Sequence, residues 1–145
     1  MATVADILRG KPTQVHSISP RASVLDATHQ MNRHRVGSLL VMEADQVVGI
    51  LSERDVLTRI VAEEKNPRTV TVGQVMTTEV IVCRPDTPVE DVSAIMKNRR
   101  VRHLPVCDED GRLVGLISIG DLNAHHASHQ EITIHYLNEY LYGRV

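Results

Sequence analysis

Residues 49–56 read GILSERDV, and residues 115–122 read GLISIGDL. Both run glycine, two aliphatics, serine, two variable residues, aspartate, aliphatic. Followed outward from these stretches, the chain repeats itself. Val15–Asp55 pairs with Val80–Asp121, at an offset of 65 through Asp45 and of 66 once Gly111 has added a residue. Of the 41 pairs, 14 are identical, among them Pro20/Pro85, Asp26/Asp91, Arg35/Arg100, Gly49/Gly115, Ser52/Ser118 and Asp55/Asp121. This is an internal duplication with a period longer than that of the usual solenoid repeats.

Each copy carries the same signals in the same order. A short extended run, VHSI or VIVC, comes first. A helix follows, opened by Ser23 in one copy and Thr87 in the other. In the second copy TPVE reads as an N-cap Thr87, Pro88 at the first helical position and Glu90 closing a capping box. Val24, Ala27 and Met31, and then Val89, Val92, Ile95 and Met96, fall at helical spacing. Two strands follow: SLLVM and QVVGIL, then LPVC and RLVGLI. They turn through EAD in the first copy and DEDG in the second. Ser52 and Ser118 read as N-caps of a closing helix, and Arg35 and Arg100 as C-terminal caps of the first helix. The expected fold class is α/β (α+β), two β-α-β-β-α units, since one such unit alone would bury too little surface. TVADIL and TVGQVM read as short lead-in helices, each capped by a threonine. The divisions are 1–64 for the first repeat with its lead-in helix, 65–71 for the linker, 72–127 for the second repeat and 128–145 for a C-terminal helix.

Composition narrows the function. The 145 residues are 42% hydrophobic and 23% charged, as expected for a folded domain. There is no Phe or Trp, and the three tyrosines are Tyr136, Tyr140 and Tyr142. The core must be aliphatic, and base-stacking nucleic-acid modules are disfavoured. A net charge of -2 gives no basic footprint for nucleic acid. No stretch reaches the ~20 apolar residues of a membrane span, and the start MATVADILRGKP lacks a signal-peptide pattern, so a cytoplasmic location is expected. Cys83 and Cys107 leave a disulfide open, but buried free thiols are the preferred reading.

The segments VGSLLVMEADQVVGILSERDVL and VRHLPVCDEDGRLVGLISIGDL resemble a tandem pair of cystathionine-β-synthase (CBS) domains, the Bateman module. The resemblance covers nearly all of residues 1–125. It implies two repeats packed about a pseudo-twofold axis, with clefts that hold adenosine-containing ligands. AMP or NAD(H) is the leading expectation, with ATP, ADP or an S-adenosyl compound as alternatives. The ligand would act on an unidentified protein partner or on a homodimer of the chain.

The residues support such a site on their own chemistry. An ionised carboxylate can accept both hydroxyls of a ribose diol. Asp55 and Asp121 are the candidate ribose acceptors, with Ser52 and Ser118 as second contacts. The alternative is that both pairs are ordinary capping boxes, and the two roles can coexist. Carried over from the family, Ser52 and Asp55 would face Val80, Ile81 and Val82 with Val101, Arg102 and His103. Ser118 and Asp121 would face His16, Ser17 and Ile18 with Val36, Gly37 and Ser38. On that grouping Arg54, Arg102 and His103 would favour phosphate in the Asp55 cleft, and Gly120 would leave the other neutral. Adenine would lie between aliphatic side chains.

The tail SHQEITIHYLNEYLYG reads as one more helix, with Ser128 and Glu131 as a capping box and an apolar stripe beside the tyrosines. It either covers its own domain or forms an interface. His125, His126, His129 and His135 lack a metal-site pattern, so no metal is expected. There is no Walker loop and no nucleophile elbow, which sets an enzyme below a ligand sensor; no catalytic cofactor is expected.

Overall fold

The computed structural model describes residues 1–10 and 15–129. The first half contains helix α1 (Val4–Arg9), strand β1 (Ser17–Ile18), α2 (Val24–His34), β2 (Ser38–Glu43), β3 (Gln46–Ser52) and α3 (Glu53–Val56). A π-helical turn, Leu57–Val61, extends α3. The second half contains α4 (Val72–Val75), α5 (Val89–Arg99), β4 (His103–Cys107), β5 (Leu113–Ser118) and α6 (Ile119–His129). Helices and strands mix as an α+β fold, and no described helix is long and apolar enough to cross a membrane.

In the first half β1 runs parallel to β2, which pairs antiparallel with β3. The β2–β3 turn places Ala44 and Asp45 at positive φ, the geometry that matches strand twist in a two-residue hairpin. In the second half β4 and β5 pair antiparallel. The expected strand VIVC is reduced there to a single parallel bridge, Cys83 to Val106. The cause is local. In the first half Leu40 donates its N–H to His16 O at 3.2 Å. The duplicate of Leu40 is Pro105, which has no N–H to give Ile81.

Helix caps follow the sequence with one correction. Ser23 caps α2, its hydroxyl accepting the Asp26 N–H. In the second half the N-cap is Pro88, not Thr87, and no side chain caps the helix. The Thr87 hydroxyl accepts the Arg84 N–H instead, and the Val89 N–H is satisfied by Ala2 O at 3.0 Å. The duplication itself signals this, because it aligns Ser23 with Pro88. Arg35 and Arg100 both close their helices at positive φ, 55° and 54°.

Two apolar cores result, and the lead-in helices exchange between them. Val4 and Ile7 of α1 pack with Val89, Val92, Met96, Leu104 and Ile117 of the second half. Val72 and Val75 of α4 pack with Val24, Met31, Leu39 and Leu51 of the first. Each lead-in helix thus lies on the core of the repeat that does not follow it in the chain. Cys83 and Cys107 are buried free thiols. Helix α6 continues through Ser128 and His129, so Ser128 does not open a new helix. The remainder of the expected C-terminal helix, with its tyrosines, Glu131 and His135, lies outside the described residues.

Candidate functional site

Each duplicated serine ends a strand and caps the helix that follows. Ser52 Oγ accepts the Asp55 N–H at 3.2 Å, and Asp55 Oδ2 accepts the Ser52 N–H at 3.0 Å. Ser118 and Asp121 form the same box, at 3.0 and 2.8 Å. The capping reading is therefore correct for both pairs. The box by itself uses one of a carboxylate's about four acceptor positions.

The strand order fixes what surrounds each box. The starts of β1 and β2 and the end of β3 share one edge of the sheet. There Ser38 stands opposite Ser52, and Glu53 donates its N–H to Gly37 O at 2.9 Å. His16 sits on the same edge through its bond to Leu40. In the second half His103 stands opposite Ser118, and Ile119 donates to Arg102 O at 2.8 Å. These bonds join each box to its own repeat, where the facing repeat was expected. Val36, Gly37 and Ser38, with His16, Ser17 and Ile18, therefore accompany Ser52 and Asp55. Val101, Arg102 and His103 accompany Ser118 and Asp121, with Ile81 and Val82 leading into Cys83.

The regrouping redistributes charge. Arg102, exposed, and His103, half-buried, flank the Asp121 box. The Asp55 box keeps exposed Arg54 and gains Glu53, whose Oε1 stands 3.4 Å from where a β-carbon on Gly37 would lie. The His16 ring stacks on His34 with centroids 3.9 Å apart, a flat surface that a count of Phe, Tyr and Trp does not show. Although His34 is exposed, local desolvation, then the His16 and Arg33 charges, hold its pKa below the ordinary value.

Two residues beside Asp55 escaped the sequence reading. Thr77 Oγ1 donates to Asp55 Oδ1 at 3.5 Å, and Arg59 Nε lies 3.8 Å from the same oxygen. Arg59 had a signal, four residues after Asp55 on a helix. Thr77 had none, because a pairing between Thr77 and Ile50 brings it there. No group of three or more His, Cys, Asp or Glu among the described residues could hold a metal.

Comparison with known proteins agrees with this architecture. The family model of the CBS domain matches residues 3–62 and 72–126. The chain is 33% identical over 130 residues to the CBS domain-containing protein YhcV of Bacillus subtilis, covering 90% of this chain and 89% of YhcV. A putative signal-transduction protein with CBS domains from Burkholderia ambifaria superposes with a TM-score of 0.83 at 36% identity, over 89% of this chain and 96% of that one. A CBS domain protein from Pyrobaculum aerophilum, solved in complex with AMP, superposes with a TM-score of 0.73 at 25% identity, over 83% and 89%. The chain belongs to the CBS-domain family, in which it is a tandem pair.

Proposed function

We propose that this CBS pair is a non-catalytic regulatory module that binds an adenine nucleotide, AMP or NAD(H) in preference to ADP or ATP. Asp55 and Asp121 accept the ribose hydroxyls, and Ser52 and Ser118 assist. The observation that carries this reading is the duplicated serine–aspartate box at the same edge of both halves. Two capping boxes in unrelated places would need no shared surroundings; these share strand ends and neighbouring backbone. The AMP-bound relative supports the ligand class. In the first repeat the His16–His34 stack offers the base a flat face beside the aliphatic ones.

A ligand regulates only by binding two states unequally, so the readout is a partner or the chain's own assembly. Leu57 and Val61, each about three-fifths exposed on the turn after α3, give a homodimer an apolar seam. The free thiols fit a reducing, cytoplasmic setting. The test is mass spectrometry of small molecules released from purified protein. An adenosine compound near one or two equivalents supports the reading. A protein that releases none and takes up neither AMP nor NAD(H) in calorimetry contradicts it.

A further inference from the structure

Asp55 is the buried charged residue among those described, 8% exposed. Its Oδ2 is engaged by Ser52, and Oδ1 faces Thr77 and Arg59. Both of these partners lead to one place. Arg59 Nη1 donates to Val75 O at 2.8 Å and to Met76 O at 3.3 Å, the last carbonyl of α4 and that of its C-cap. Thr77 exchanges both backbone bonds with Ile50 of β3, at 2.9 and 3.0 Å. A cation and a hydroxyl thus tie the first carboxylate to the segment that carries the chain into its second repeat.

The duplication does not repeat these residues. The position matching Arg59 is His125, and by the alignment of Thr3 with Thr71 the position matching Thr77 is Arg9. An arginine forks across several acceptors, as Arg59 does here. At the first site Arg59 and Thr77 thus stand as internal competitors for Oδ1.

A ribose diol that takes Oδ1 of Asp55 competes there with Thr77 and Arg59. The contacts, 3.5 and 3.8 Å, are long enough to be given up to shorter hydrogen bonds. The geometry points to Arg59 and Thr77 as a gate on the first site: nucleotide binding at Asp55 displaces them and loosens the Thr77–Ile50 pair and the end of α4. This rests on the ribose-binding reading of the serine–aspartate boxes, and it gives that reading a route from ligand to the joint between the halves.

The test isolates the first site in an Asp121→Ala background and titrates AMP by calorimetry, alone and with Thr77→Val, Arg59→Lys or Arg59→Ala. Loss of one such weak contact should raise affinity about three- to five-fold for Thr77→Val. Arg59→Ala should gain at least as much, and Arg59→Lys, which keeps the cation, less. AMP should also speed amide exchange at Thr77 in the protein that retains both residues. A gain in affinity is not what structural damage produces, and thermal melts of each variant check the fold. If AMP binds with affinity unchanged or lowered in both Thr77→Val and Arg59→Ala, the gate is wrong. It is equally wrong if wild type binds AMP but no variant in the Asp121→Ala background does. If wild type binds no AMP at all, the ribose reading falls first and takes the gate with it.

Discussion

The Sδ of Met76 lies 2.5 Å from where a β-carbon on Gly49 would stand, and the carbonyl of Thr77 lies 3.0 Å from it. The duplicate glycine, Gly115, meets Leu8 in the same way, at 2.9 and 3.1 Å from its two methyls. The glycine that opens each motif thus makes room for the exchanged lead-in segment to pack closely. Gly49→Ala should destabilise the protein by about 1–3 kcal/mol, because backbone as well as side chain must shift. Gly115→Ala should cost less, since only the ends of a leucine need to move. Urea melts of both variants check the order.

Much of the fold was legible because the duplication supplied two readings of each element. The strand pairs, the amphipathic stripes of α2 and α5 and both serine caps follow from local pattern. The errors arose where one copy departs from the other. Pro105 removes the donor that would have kept VIVC in the sheet, and Pro88 moves the cap. The partners of the serine–aspartate boxes were misplaced for a different reason. Which strand ends share a sheet edge is set by the β1–β2–β3 order, and no spacing along the chain reports it. Thr77 beside Asp55 is the same kind of fact.

The thiols should be inert in the folded protein. Burial pushes Cys83 up to about 11, with Cys107 adding to it, and burial raises Cys107 as well. At pH 8 only about one Cys83 in a thousand is then thiolate, the form that reacts. Ellman's reagent should label neither promptly in native protein and both in guanidinium chloride. Prompt native labelling contradicts the packing around Cys83.

Acid should weaken the first half only slightly through His34, which is exposed. Its pKa in the fold lies below its unfolded value near 6.5, so the unfolded chain binds more protons in between. Stability contributed by the neutral ring is present above that unfolded value and is lost as pH falls through the lowered one. NMR titration should show His34 protonating below 6.5, with the His16 ring shifting as the stack opens. His34→Gln should remove that part of the acid sensitivity.

The redistribution of charge predicts which site favours phosphate. Arg102 and His103 flank the Asp121 box, so Arg102→Ala with His103→Ala should weaken AMP there about three- to ten-fold and adenosine much less. Added salt should mimic the loss for AMP. Calorimetry with both ligands in an Asp55→Ala background reads this. Equal loss for adenosine and AMP assigns the basic pair a structural role.

Calorimetric titration of AMP into wild type, Asp55→Ala, Asp121→Ala and the double variant tests the ribose assignment most directly. Removing a charged acceptor of two hydroxyls costs about 1.5–3 kcal/mol, so each single variant should lose about ten-fold or more at its own site. The double variant, with fold confirmed by circular dichroism, should show no binding in the wild-type range. AMP affinity and stoichiometry unchanged in the folded double variant would contradict the account.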